Sequence, residues 1–139
     1  MEALLLLALV SFILHLVWEC SHIHLYTGYD ALTGRLPVFV WASIGDVMYT
    51  FLAVVLISFF KGSVLWFLSA ATPDYLGLAL LGFYIATFVE YKAVALGRWE
   101  YAENMPRLFG VGATPLLQMT VLLPLTVYIT TAILGLGLW

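Results

Sequence analysis

The side chains of this sequence that could transfer a proton lie in apolar surroundings. His15, Glu19 and His22 are spaced by four and then three residues, so on a helix they lie on one face. Three more polar residues each interrupt a different apolar stretch: Asp46, Glu90 and Gln118. A carboxyl group in an apolar pocket can act as a general acid, and a neighbouring imidazole can share or relay its proton. These residue types therefore indicate acid–base chemistry in an apolar environment.

The composition indicates that this environment is a lipid bilayer. Hydrophobic residues make up 64% of the 139 residues, charged residues only 9%, and the mean hydropathy is +1.06. A soluble domain carries about 25% charged residues, so most of this surface must face lipid. The net charge of −3 and the lack of a basic run argue against a nucleic-acid partner. The single cysteine, Cys20, excludes an internal disulfide.

Four apolar segments are long enough to cross a membrane, since about 20 residues span its hydrocarbon core. The sequence predicts helices over residues 3–26, 38–60, 75–96 and 113–136, so that 1–139 forms a single transmembrane domain. The apolar stretch Ser63–Ala71 is too short to span and is predicted to lie at the interface, where Trp66 and Phe67 suit the aromatic belt. The predicted fold class is all-α, a polytopic bundle of four transmembrane helices with a short interfacial segment.

The few basic residues predict an orientation. Arg35, Arg98 and Arg107 lie in the two loops at one end of the predicted bundle, whereas Lys61 lies at the end that holds both termini. Loops rich in Lys and Arg stay in the cytoplasm. The sequence therefore predicts a multi-pass protein of a bacterial or archaeal cytoplasmic membrane with both termini outside.

The polar residues are expected to lie at one depth. Because successive helices alternate in direction, the polar groups of all four fall in the half of the bundle nearest the loops. Charged groups in hydrocarbon cost a few kcal/mol, so they face the bundle interior and find partners there. Polar residues can also serve only to hold helices together. Three acids, Glu19, Asp46 and Glu90, are more than that role needs, which favours a working site.

The candidate residues fall into two groups. Four are predicted to be catalytic, with Glu19 as the acid or base, His15 as its partner, and Asp46 and Glu90 as cation stabilisers or proton relays. A second group is predicted to bind and orient the substrate: His22, Gln118, Trp18, Trp99, Tyr101 and Tyr49.

Several motifs together resemble a group of small bacterial integral membrane proteins of uncharacterised activity. These motifs are WECSHIHLY (18–26), Gly45-Asp46, Glu90, RWEYAENMP (98–106) and GVGATPLLQ (110–118). They cover most of the chain. This resemblance implies a four-helix membrane protein and no particular reaction.

The segment HLVWE (15–19), followed by Leu25-Tyr26, resembles the His-x-x-x-Glu helix of the EXPERA group, the emopamil-binding sterol isomerases and their relatives. Asp46 is similar to an acidic position on their following helix, which in that group is Glu. Gln118, with Pro124 six residues later, is similar to an Asn on their last helix. The resemblance implies an enzyme that moves a sterol double bond by protonating it and stabilising a carbocation.

The segments RWEYAENM (98–105) and GVGATPLLQ (110–118) resemble the heterodimeric and fungal type of lycopene cyclase domain. Leu117 and Gln118 stand where that family has paired acids. This resemblance also implies protonation of an alkene inside the membrane.

Three hypotheses follow. The first is an isomerase or cyclase that acts on an isoprenoid or sterol-like lipid through a carbocation and needs no cofactor, since the sequence has no dinucleotide or phosphate-binding motif. The second is a metal site, because Glu19-x-x-His22 is a spacing that di-iron bundles use. The third is a lipid-binding accessory subunit or a small transporter, for which four helices are few unless the protein forms a homo-oligomer.

Overall fold

Four long helices account for most of the chain, as the sequence predicts. The computed structural model describes residues 1–27 and 32–135, with residues 32–35 described by their backbone alone. The helices are α1 (Glu2–His22), α2 (Leu32–Lys61), α3 (Thr72–Ala95) and α4 (Ala113–Gly135). Each is long and apolar enough to cross a membrane. The all-α class and the four-helix bundle are therefore confirmed.

The beginning of α2 differs from the sequence prediction. The helix begins at Leu32 and contains Pro37, whereas the sequence analysis assigned residues up to Pro37 to a loop. Pro37 is the sixth residue of α2, where its missing N–H removes one backbone hydrogen bond, and the helix nevertheless continues through it. Residues 28–31 of the predicted loop and residue 136 of the predicted fourth helix lie outside the described part of the chain.

The connection between α3 and α4 contains a hairpin that the sequence analysis did not predict. Strand β1 (Arg107–Leu108) pairs antiparallel with β2 (Val111–Gly112). The turn residues Phe109 and Gly110 have φ values of 53° and 84°, the left-handed pair that closes a two-residue hairpin. Tyr26 forms an isolated β-bridge with Tyr101, so this connection lies beside the end of α1.

The four helices are unevenly packed. Neighbours are arranged in the order α2, α1, α4, α3, and α2 meets α3 over a much smaller contact region than the other neighbouring pairs. Helices α3 and α4 lie close together at Gly82, where an added Cβ would come within 2.2 Å of the Met119 carbonyl oxygen. The bundle is thus closed along α3 and α4 and looser between α2 and α3.

Much of the apolar core lies in the half of the bundle near Glu2 and Gly135, and Val111 and Leu116 extend it towards the loop end. Seven of its side chains are completely buried: Leu7, Ala53, Val54, Phe67, Leu78, Leu123 and Val127. Between α2 and α3 a short 3-10 helix, Trp66–Ser69, closes this end. Trp66 and Phe67 are buried in the core rather than exposed to an interface, and Trp66 Nε1 donates to the Val54 carbonyl at 2.9 Å.

Candidate functional site

The side chain of Gln118 stands at the centre of a polar network that joins three helices. Its Nε2 lies 3.0 Å from Glu19 Oε1 on α1, 3.0 Å from Asp46 Oδ2 on α2 and 3.1 Å from His15 Nδ1 on α1. Gln118 is on α4 and is buried. The structure therefore brings together four of the residues that the sequence analysis singled out.

The network has fewer protons than acceptors. The Gln118 amide nitrogen carries two protons, yet three potential acceptors surround it. His15 Nδ1 is also 3.4 Å from Asp46 Oδ2. A further proton, on His15 or on one of the carboxyl groups, lets these groups hydrogen-bond without repulsion. The geometry therefore provides a place for one exchangeable proton.

His15 is completely buried behind this network. When its Nδ1 accepts from Gln118, the imidazole proton is on Nε2, and Nε2 has no hydrogen-bond partner among the described residues. His15 is not among the described residues that line the adjacent cavity. Its position suits a partner of the carboxyl groups rather than a group that touches a substrate.

Glu90 lies in a second polar cluster, near the loop end of α3. Its Oε2 accepts hydrogen bonds from the Tyr101 hydroxyl and from Trp99 Nε1, the latter at 3.4 Å. Burial, and then the hydrogen bond to Glu90, raises the pKa of Tyr101 to about 12. The phenol therefore remains protonated and keeps donating to Glu90 at neutral pH.

Aromatic rings connect Glu90 to the end of α1. The Tyr26 ring packs edge-on against His22 at 5.5 Å and against Trp99 at 6.5 Å, and it lies 5.8 Å from the Tyr101 ring. His22 is fixed by a 2.7 Å hydrogen bond between Nδ1 and the Trp18 carbonyl. These rings form an aromatic wall, a type of surface that attracts apolar and cationic groups.

The two polar clusters open into one cavity of about 270 Å³. Its polar lining residues are Glu19, His22, Asp46, Glu90 and Gln118. Most of the remaining lining is apolar or aromatic and includes Tyr26, Phe39, Trp41, Tyr49, Val89, Trp99 and Met119. No Lys or Arg is among the described residues that line it. Three carboxyl groups thus face a space that is otherwise mainly hydrocarbon and aromatic.

Three of the predicted site residues lie outside the cavity lining, and each contacts a residue that lines it. Trp18 and His15 lie behind it on α1, and Tyr101 reaches it only through Glu90. The sequence analysis gave no role in the site to Tyr26 or to Gly45, both of which line the cavity. Tyr26 lies four residues after His22 and seven after Glu19, a helical spacing that could have marked it.

The described residues contain no group of three or more His, Cys, Asp and Glu side chains placed to hold a metal ion. In the Glu19-x-x-His22 pair, His22 Nδ1 is occupied by the Trp18 carbonyl.

No protein-family model, curated protein or solved structure matches this chain.

Proposed function

We propose that this protein is an intramembrane acid–base enzyme, an isomerase or cyclase that acts on an alkene of an isoprenoid or sterol-like lipid. The observation that supports this most strongly is the convergence of Glu19, Asp46 and Glu90 on one aromatic cavity inside four membrane-length helices. Acids are costly to hold in hydrocarbon. A site that generates a cation from an alkene needs both a proton donor and negative charge nearby.

In the first step, Glu19 gives its carboxyl proton to one carbon of the double bond. The π electrons form the new C–H bond, the other alkene carbon becomes a carbocation, and Glu19 becomes a carboxylate. Glu19 suits this role because it lines the cavity while its Oε1 is held by Gln118 at 3.0 Å.

The cation would then lie among groups that favour positive charge. Asp46 and Glu90 supply carboxyl groups from α2 and α3, and the Trp99 and Tyr26 rings supply aromatic surface. Because most of the cavity lining is apolar or aromatic, each of these interactions is stronger than it would be in solution.

Loss of a proton from a neighbouring carbon completes the reaction. If a cavity carboxylate accepts that proton directly, the double bond has moved and the product is an isomer. If a second alkene of the same molecule first attacks the cation, a carbon–carbon bond closes a ring before the proton leaves. In both cases the enzyme recovers the proton that it gave, so no cofactor is consumed.

The test is deuterium uptake from solvent. Purified protein is incubated in D₂O with vesicles that contain polyisoprenoid and sterol lipids, and the recovered lipids are analysed by mass spectrometry. We expect deuterium in one lipid class with the wild-type protein and a loss of at least about hundredfold with Glu19→Gln. Glu103→Gln, which changes an exposed loop acid in the same way, is the matched control and should retain uptake. Wild-type uptake no greater than in a blank without protein would overturn the proposal.

The four candidate spans support a multi-pass membrane protein. We propose that it resides in a bacterial or archaeal cytoplasmic membrane with the Arg98 and Arg107 loop in the cytoplasm and both termini outside. In a Cys20→Ser background, a membrane-impermeant maleimide should label Glu2→Cys in intact cells, and Glu103→Cys only after the cells are opened. The reverse labelling pattern would contradict this orientation.

A further inference from the structure

The cavity has its weakest wall between α2 and α3. These two helices have little mutual contact, and small residues of α2, Ala42 and Gly45, line the cavity there. A Cβ added at Gly45 would meet nothing within 4 Å. Gly45 lies nine residues after Leu36, where the apolar span begins, or roughly 13 Å along the helix axis. The gap is therefore at hydrocarbon depth.

Two residues belong both to the cavity lining and to the outer surface. Trp41 is 72% exposed and Val38 is 43% exposed, and both line the cavity from α2. A side chain exposed on a membrane-spanning segment faces lipid. The cavity is thus continuous with the bilayer at this point, so a lipid could enter without passing through water.

The charges of the lining residues determine which chemical groups of a lipid can enter the cavity. Three carboxyl groups face the cavity, and no Lys or Arg is among its described lining residues. A phosphate or diphosphate group needs cationic or backbone N–H donors and would be repelled by acids. The part of the ligand inside the cavity is therefore not anionic, and the mainly apolar and aromatic lining suits a hydrocarbon.

The size of the cavity limits how much of a lipid it can hold. Its volume of about 270 Å³ is smaller than the roughly 300–1,000 Å³ of pockets that enclose most of a drug-sized ligand. A long lipid must therefore leave most of its length in the bilayer. A flexible chain end can adapt to the gap beside Gly45 more readily than a rigid fused-ring system can.

We propose that the cavity takes one end of a long acyclic isoprenoid hydrocarbon, which enters sideways from the bilayer between α2 and α3. The terminal isoprene unit lies among Glu19, Asp46 and Glu90, and the rest of the chain leaves past Trp41. That this end is then protonated rests on the proposed function, but its binding does not.

The experiment measures equilibrium binding of radiolabelled squalene, an acyclic hydrocarbon of six isoprene units, to purified protein in detergent. Gly45→Leu fills the gap and should weaken binding by about tenfold, the cost of overpacking one side chain. Gly77→Leu is the matched control: it makes the same substitution at another helical glycine with free space, away from the described cavity lining. It should bind squalene as the wild type does.

Competition tests the chemical class. Unlabelled squalene should displace the label, whereas cholesterol and farnesyl diphosphate should displace it poorly at equal concentration. Equal displacement by cholesterol would overturn the acyclic class, and equal displacement by farnesyl diphosphate would overturn the hydrocarbon class. A wild-type protein that binds no squalene would overturn the acyclic hydrocarbon as the ligand, and unchanged binding by Gly45→Leu would overturn the sideways opening.

The two proposals fail in different ways. If squalene binds in a manner that depends on Gly45 but no lipid takes up deuterium, only the proposed reaction is wrong. If another lipid takes up deuterium while squalene does not bind, only the identity of the ligand is wrong.

Discussion

The acids at the two ends of the bundle differ in whether a cation pairs with them. At the end that holds the termini, Asp74 is 8% exposed, its carboxylate is 2.7 Å from Lys61 Nζ, and it accepts the Ala71 N–H at 2.9 Å. At the loop end, Glu19 and Asp46 share the amide of Gln118, and no Lys or Arg pairs with them among the described residues. One acid is neutralised and caps a helix, whereas the others face a cavity.

This difference separates a structural role from a functional one. An acid paired with a cation at a helix N-terminus stabilises the fold through charge and capping. Acids that lack a cation partner gain less for the fold and remain free to exchange protons. The stability of the fold alone therefore does not explain the acids at the loop end.

A large loss of deuterium uptake is expected from Asp46→Asn. The change keeps the size of the side chain and an oxygen that can accept from Gln118, but it removes the negative charge beside the cavity. We expect deuterium uptake to fall by about hundredfold, the usual cost of losing one electrostatic stabiliser of a charged intermediate, with little loss of thermal stability. Unchanged uptake would show that Asp46 serves only the packing of α1, α2 and α4.

Asp74→Asn is expected to have a smaller effect, which changes the stability of the fold and not deuterium uptake. The loss of charge weakens both the Lys61 pair and the cap at the start of α3, and we expect the free energy of unfolding to fall by about 1 kcal/mol. Deuterium uptake, corrected for the folded fraction, should not change. Thermal unfolding in detergent measures the first effect, and a fall in uptake per folded molecule would remove the contrast between the two ends.

The smallest effect concerns the hairpin at the loop end. Phe109 has a φ of 53°, which costs a residue with a side chain about 1 kcal/mol relative to glycine. We expect Phe109→Gly to raise the free energy of unfolding by about that amount. Leu108→Gly is the control, since Leu108 has no positive φ and its replacement should destabilise. If both variants destabilise alike, the exposed Phe109 ring contributes more than the strain costs.

Much of the fold could be predicted from the sequence because membrane helices reveal themselves by length and apolarity. Four spans emerged in this way, and the spacing of His15, Glu19 and His22 indicated a shared helical face. The beginning of α2 could not be predicted, since Pro37 suggests a loop and no neighbouring residue indicates that the helix continues through it. The hairpin at Phe109 and Gly110 was also missed, because the usual residues of such a turn are Asn or Asp followed by Gly.

The depth at which the site residues lie could be predicted from the sequence, but the contacts between their side chains could not. Alternating helix directions place Glu19, Asp46 and Glu90 at one depth, yet depth does not say which side chains meet. Glu19 and Asp46 meet through Gln118, which also reaches His15. Gly82 allows α3, which carries Glu90, to lie close against α4. The opening beside Gly45 depends on how α2 packs against α3, which is a tertiary property.

The most direct test of a catalytic role for the loop-end acids is to measure deuterium uptake for Glu19→Gln and Asp74→Asn side by side, each corrected for its folded fraction. Both variants replace a carboxylate by an amide at a buried or half-buried position. If the loop-end acids transfer protons, Glu19→Gln loses uptake at least about hundredfold while Asp74→Asn retains it. Equal uptake by the two variants would contradict a catalytic role for Glu19.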